Sequence, residues 1–505
     1  MPKNRTENVF QNQCFRKEDS TIYCCNHRVL RSYSSTPKVK RIHDRLGNER
    51  KSGALASMSS GINASWTSPF ISYLTSNSST IPMTSDEAGW CAIAPALGCV
   101  VGPPMAALLV DRIGRKKTVL ALAPVVFFSQ LGIGLIRNVW ILSLFRLLIG
   151  AADGAGFTAL PMYIGEISSP DIRGFLSSLI CLFFTLGVLL INTIGCFLSI
   201  FTCSLICAAI PAIQFLGFVF MPESPYYYIK VKKFQEAEQS LKKFTGLENV
   251  EEEMKVLSEA VREQEEMVRN SKFTDLFVVP RIRKATFIFI IIGLALRASA
   301  KAPLLSYTKV IFDESGSDIS SSLSTITYYV VEFSVMTFTT YFVVDRFGKK
   351  KLSIISLAGC AIALFLIGLY FYLKDFHNDI IGSLNWLPLA SLVLYSVMFN
   401  IGLAFAQVCY LSELFPTNVK AKALSCAEIS TVITNAITVK LFQVMNDKLG
   451  SLYGSFFCFS ALSISILFFV VKYVPETRGM TLEEVQSYLT DTQETDDRKV
   501  DGSPH

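Results

Sequence analysis

The chain has 505 residues, 51% hydrophobic and only 17% charged, with a net charge of +6 and a mean hydropathy of +0.40. Soluble domains carry about a quarter charged residues, so this composition excludes an ordinary soluble globular protein. The positive charge is not arranged as a basic stripe with interleaved aromatics, which argues against nucleic-acid binding and for basic loops beside a membrane.

Residues 1–52 are polar and basic and lack helical periodicity, so a disordered cytosolic N-tail is expected. No apolar h-region marks a cleaved signal peptide there. The basic stretch Lys38–Lys51 orients the first span with its N-terminus in the cytosol. Apolar runs of about 20 residues suit a bilayer core. They predict spans near 53–74, 87–110, 118–136, 138–165, 172–195 and 201–221, then near 285–307, 319–344, 352–373, 385–412, 421–446 and 453–474. The expected organisation is therefore an N-terminal bundle over 53–221, a cytosolic helical linker over 222–284, a C-terminal bundle over 285–474 and a cytosolic tail over 475–505. This is an all-α polytopic membrane protein with twelve transmembrane helices. Ten of the 13 cysteines fall in apolar runs and three in the N-tail, a pattern of small hydrophobes and reduced thiols rather than a disulfide framework.

Internal repeats support a duplicated six-helix unit. "VDRIGRKK" around Asp111 recurs as "VDRFGKKK" around Asp345; "GEISSPDIRG" answers to "SELFPTNVKA"; "PESP" at Pro222 answers to "PETRG" at Pro475. The three pairs occur in the same order in both halves. Setting both D-R-x-G-x-K loops in the cytosol leaves few cations in the outer loops, as the positive-inside rule asks. It also sets both termini in the cytosol. Asn77, in Asn-Ser-Ser, then lies in the first outer loop as a glycosylation candidate. Asn63, in Asn-Ala-Ser, fits the same pattern but lies inside a span.

Together these motifs resemble the major facilitator superfamily, and "RLLIGAADGAG", "PMYIGEISSPDIRG", "PESP" and "PETRGMTLEEV" resemble its sugar porter branch. "WTSP" and "TVKLFQ" are similar to insect facilitated trehalose transporters, with facilitative glucose transporters close behind. The resemblance covers roughly residues 53–485. It implies two pseudo-symmetric bundles that rock about a midplane site. It also implies gating charge clusters that pair across the halves: Arg112, Glu166, Arg173 and Glu223 in one, and Arg346, Glu413, Lys420 and Glu476 in the other. Gly150, Gly154 and Gly156 read as packing glycines of the fourth span, and Asp153 beside them is an intramembrane carboxylate.

The sugar porter pattern breaks in the C-terminal half. Aligned on "YTKVIF", Leu296 and Arg297 stand where the family carries two Gln, and Ala302 where it carries Asn; Ser299 and Tyr307 stay polar. Phe333 takes an eighth-span Asn position beside Glu332, Val408 a Trp position, and Thr431-Val432 an Asn-Trp pair. Asn400, Gln407 and Asn435 remain as polar candidates, with Asn63 in the first span. Proton symporters of the family carry Asp where Asn63 stands, so proton coupling is disfavoured. Arg297 and Lys301 sit one helical turn apart, so both cations are expected to project from the same face. They could bridge to Glu332 or Glu428, or line a cavity and meet an anionic solute, or mark a site that has decayed. Lys440 resembles a helix-end lysine of trehalose facilitators.

The leading function is therefore facilitated diffusion of a sugar, trehalose or a hexose, by alternating access at the plasma membrane, working as a monomer. The alternatives are a carrier of an organic anion using Arg297 and Lys301, and a transport-incompetent receptor or scaffold that uses the linker for partner binding. No Walker A sequence and no metal or catalytic constellation occurs, so neither a cofactor nor enzymatic activity is expected.

Overall fold

Thr84 and Glu87 close a reciprocal cap. The Thr84 hydroxyl accepts from the Glu87 amide at 3.2 Å, and a Glu87 carboxylate oxygen accepts from the Thr84 amide at 2.9 Å. The apolar sequence beyond it then runs as one helix, Ser85–Ile113. Ser199 caps the helix Ile200–Val219 from one side, its hydroxyl accepting from the Thr202 amide. Long apolar runs between such starts have no other way to satisfy their backbone in lipid.

The computed structural model describes residues 53–167, 170–247, 249–270, 278–342, 348–377, 381–415 and 417–476. The first span is split: α1 covers 53–65 and α2 Thr67–Leu74, with Trp66 buried at the turn between them. The N-terminal half continues with α3 Ser85–Ile113, α4 Arg115–Leu135, α5 Val139–Ile167, α6 Pro170–Gly195 and α7 Ile200–Val219. The linker forms α8 Pro225–Lys230, α9 Phe234–Thr245 and α10 Glu251–Asn270. The C-terminal half comprises α11 Pro280–Ala298, α12 Lys301–Ser315, α13 Ser321–Phe342, α14 Lys349–Phe376, α15 Leu387–Ile401, α16 Leu403–Leu414, α17 Thr417–Leu449 and α18 Tyr453–Tyr473. Pairing α1 with α2, α11 with α12 and α15 with α16 gives two sets of six spans. Leu108, Phe128, Leu144, Leu216, Phe338, Ile362 and Phe468 stand exposed on the outer faces, as lipid contact requires. The linker carries its own small core of Ile229, Ala237 and Val261.

One end of the bundle, the basic end, carries the basic α3–α4 turn, the Lys349–Lys351 start of α14 and the linker. The opposite end, with the connections at 75–84, 316–320 and 450–452, is the far end. Of the expected tails, 1–52 and 475–505, residues 1–52 and 477–505 lie outside the described residues, as does Arg346.

Within the N-terminal half, α3 and α5 meet backbone to backbone. A Cβ on Gly98 would sit 2.0 Å from the Leu147 carbonyl oxygen, and one on Gly150 2.0 Å from that of Pro95. Gly154 joins this contact, but Gly156 does not: nothing lies within 4 Å of where its Cβ would be, because it faces away from α3. In the C-terminal half, Gly402 separates α15 from α16. A Cβ there would meet the Leu352 carbonyl at 2.3 Å.

The seventh span breaks at Ser299–Ala300. Ala300 adopts the left-handed conformation, φ 62° and ψ 23°, which costs a non-glycine residue about 1–2 kcal/mol. The continuous turn expected between Arg297 and Lys301 is therefore absent, and the two cations leave in different directions.

Gly150→Val should cost about 1–3 kcal/mol through overpacking and lower the melting temperature of the detergent-solubilised protein. Gly156→Ala, into open space, should leave it unchanged. Thermal-shift gel filtration of both variants checks this.

Candidate functional site

Between the two halves lies a cavity of about 400 Å³. Its N-terminal wall is built from α1, α3, α5 and α6 and includes Ser60, Asp153, Phe157, Thr158 and Phe184. Its C-terminal wall comes from α12 and α17 and includes Ala302, Ser306, Thr431 and Asn435. Asp153 is the one charged side chain among the described residues that line it. Ser60 donates to one Asp153 oxygen at 2.8 Å and the Asn63 amide to the other at 3.0 Å. Gln130 in turn donates to the Asn63 carbonyl at 2.6 Å, which fixes the direction of that amide.

The cations of the seventh span lie elsewhere. Lys301 pairs with Glu332 at 2.6 Å and lies 5.3 Å from the Phe399 ring centroid. Glu332 is 4% exposed, so the pair neutralises itself inside the C-terminal half. Arg297 donates to Gln407 at 3.4 Å and lines a second cavity of about 360 Å³ with Phe289, Ser430 and Thr434. Neither cation is among the residues that line the central cavity, so the anion-carrier reading loses the feature that suggested it. The cause is the helix break at Ser299–Ala300.

Of the expected site residues, Asn435 lines the central cavity, and its side chain makes no hydrogen bond among the described residues. Asn63 stands one bond behind the wall. Ser299 is buried and donates to the Leu296 carbonyl at 2.7 Å, which serves the helix break. Tyr307 stacks on Phe442 with centroids 5.5 Å apart. The Asn400 amide donates to the Ser396 carbonyl at 2.8 Å. Gln407 donates to the Thr431 hydroxyl at 3.1 Å. Those last four, with Glu332, are structural neighbours of the cavity rather than its wall. The side chain of Glu428 lies outside the described residues.

The far end is shut by contacts between the halves. Ser65 donates to the Leu305 carbonyl, Ser72 to Asp313 and Ser85 to Asp447, each at 2.8 Å. Gln443 donates to the Ser85 carbonyl and Lys440 to Asp86, also at 2.8 Å, and Lys440 stands 5.1 Å over Trp90.

Residues 51–489 match the family described as Sugar (and other) transporter. The chain belongs to this family of the major facilitator superfamily. It is 33% identical to the facilitated trehalose transporter Tret1 of Bombyx mori, over 86% of this chain and 85% of that protein. To Tret1 of Apis mellifera ligustica it is 30% identical, over 86% of each. The fold matches the inward open conformation of the xylose transporter XylE from E. coli, with TM-score 0.71 and 21% identity over 87% of this chain and 98% of that one. The partially occluded inward open form of XylE matches at TM-score 0.70, with 20% identity over 87% and 100%. The protein is thus a multi-pass membrane transporter with the twelve-helix major facilitator fold, not an enzyme.

At the transporter's basic end the charges arrange differently from expectation. Arg112 is exposed, and Arg115 takes the place expected for it. Only 5% exposed, Arg115 bonds both Glu166 oxygens at 3.0 Å through Nε and adds a 2.9 Å contact through Nη2. Ser224 donates to the same carboxylate. The sequence signal was there, since "RIGRKK" offers two arginines three residues apart, but only the one starting α4 faces inward. Glu223 accepts from the Lys116 and Lys117 amides at 2.8 and 3.4 Å, capping α4. Glu476 does the same for α14, accepting from the Lys349 amide at 3.0 Å. Tyr163 donates to the Pro222 carbonyl and Tyr410 to that of Pro475, at 2.8 and 3.1 Å. The repeats thus build the same joint twice. The side chains of Arg173, Glu413 and Lys420 lie outside the described residues.

Lys301→Met or Glu332→Gln alone strands a buried charge or its partner and should cost about 3–5 kcal/mol. The double variant should recover most of that loss. Melting temperatures of the three purified variants check the coupling.

Proposed function

We propose that this transporter carries a neutral sugar, trehalose or a hexose, down its gradient by alternating access. One observation carries this reading: within a mostly apolar lining, the cavity between the halves presents the hydroxyls of Ser60, Thr158, Ser306 and Thr431, the Asn435 amide and a single acid, Asp153, while the cations lie outside its wall. Such a wall matches a solute rich in hydroxyl donors, and about 400 Å³ falls within the usual range for small-molecule sites. The names of the relatives support trehalose as the first solute to test.

In this reading the basic end and both termini face the cytosol, as the positive-inside rule favours. The far end faces outward at the plasma membrane, where exposed Asn77 is a glycosylation acceptor. The contacts of Ser72, Ser85, Lys440 and Gln443 then close the outer side. Two-state rocking breaks them and brings the basic end together, where Arg115, Glu166, Glu223 and Glu476, with Arg173, Arg346, Glu413 and Lys420, act as the gate. Asn63, Arg297, Lys301, Glu332, Asn400 and Gln407 support the site from outside its wall, while Asn435 contacts the solute. The transporter works as a monomer.

Labelled trehalose and glucose offered to cells expressing the protein test this. The expected result is saturable uptake of at least one sugar, unchanged by a protonophore. Surface-expressed protein that moves neither sugar would overturn the reading, and uptake abolished by the protonophore would replace facilitated diffusion with proton coupling.

A further inference from the structure

We propose that Asp153 is the residue that reads the solute: its carboxylate accepts hydrogen bonds from hydroxyls of a neutral polyol in the central cavity and turns anionic solutes away. This rests on the sugar reading and goes beyond it by naming the recognising group and the class it rejects.

The geometry around Asp153 is that of a prepared acceptor. Each carboxylate oxygen takes one bond from the protein, from Ser60 at 2.8 Å and from Asn63 at 3.0 Å. An ionised carboxylate has about four acceptor sites, so capacity remains on both oxygens. The Gln130–Asn63 bond at 2.6 Å holds the donating amide toward Asp153, so the carboxylate is positioned before a solute arrives. No salt bridge consumes it among the described residues. Arg146, two helical turns earlier on α5, donates to the Cys91 carbonyl at 3.1 Å and lies 4.8 Å from the Trp66 ring centroid.

The opposite wall completes the site. Ser306 and Asn435 both line the cavity, and neither side chain makes a hydrogen bond among the described residues. A polyol between the walls donates to Asp153 on one side and exchanges bonds with the Ser306 hydroxyl and the Asn435 amide on the other. An anionic solute gains nothing from this arrangement: the fixed charge of the cavity is negative, and the Lys301 cation is spent on Glu332. A hydrogen bond to a charged group contributes enough to change affinity about tenfold or more when either partner is removed.

The test uses proteoliposomes of the full chain and counterflow of whichever of labelled glucose or trehalose the wild type carries. Competitors are the unlabelled sugar, its single-deoxy analogues and glucuronate. In the wild type, removing one particular hydroxyl should weaken competition about tenfold, and glucuronate should compete poorly. In Asp153→Asn the parent sugar should bind about tenfold more weakly, and the same deoxy analogue should lose nothing further. Glucuronate should gain relative to the parent sugar. A purely structural role for Asp153 would weaken every analogue alike, so an unchanged deoxy ranking in Asp153→Asn overturns the proposal. Asp153→Glu keeps the charge and must still exclude glucuronate. A Glu variant that admits glucuronate as wild type admits its sugar overturns the proposal even if the Asn variant fails to reach the membrane. Wild-type protein that shows no counterflow of any sugar overturns the sugar reading itself, and that result is visible before any substitution is compared.

Discussion

The structure depends first on one constraint, that a backbone broken inside the bilayer must find its hydrogen bonds within the protein. The seventh span breaks at Ser299–Ala300, and the groups freed there are met one by one. The Ser299 amide returns to Ala295 and the Ala300 amide to Arg297, at 3.2 and 3.1 Å. Ser463, from α18, donates to the Ala298 carbonyl at 2.9 Å. The tenth span repeats the device at Gly402, where the Leu403 amide is met by the Ser356 hydroxyl at 3.0 Å. Serines that look incidental in apolar helices thus make two breaks tolerable, and the breaks decide where the neighbouring charges go.

That decision separates Arg297 from Lys301. With the helix restarted at Lys301, the ammonium meets Glu332 on α13 instead of standing beside the guanidinium. A buried pair of this kind adds little net stability over an apolar pair of the same shape, because desolvation offsets the attraction. The pair ties α12 to α13, and the same α12 contributes Ala302 and Ser306 to the cavity wall. The basic end relies on a parallel logic. Glu223 and Glu476 each hold the start of a helix through backbone amides, so the joint between bundle and following segment is built from helix-terminus electrostatics rather than from surface ion pairs, which are weak.

How much of this was legible in the sequence follows from the range of each interaction. Spans and repeats were readable because hydropathy and duplication are properties of contiguous sequence; the two six-helix sets match the expectation closely. The joints were half readable: Glu166 and Glu223 bond within them, but Arg115 rather than Arg112 meets Glu166, since the choice between the two arginines depends on Gly114 turning the chain at φ 103°. The cavity was least readable. Family spacing directed attention to the seventh and tenth spans, yet there Asn400 and Gln407 bond to neighbours and the Tyr307 ring stacks on Phe442. A left-handed alanine leaves no compositional mark, so nothing in "LRASAKA" announced that its two cations would part.

The same comparison explains where recognition can reside once the C-terminal amides are lost. A sugar needs its hydroxyls paired, at roughly 1–3 kcal/mol for each one left buried without a partner. The C-terminal wall retains Ser306, Thr431 and Asn435, but Thr431 already accepts from Gln407, which reduces its freedom. The N-terminal wall supplies what neutral amides would have supplied, through one carboxylate with spare acceptor sites and a network that fixes it. Charge-assisted bonds are roughly twice as strong as neutral ones, so one acid can replace more than one lost amide. The two walls also belong to different halves of the molecule. A solute that bridges Asp153 and Asn435 is therefore gripped most firmly when the halves come together around it, and this differential grip is what alternating access requires of its cargo.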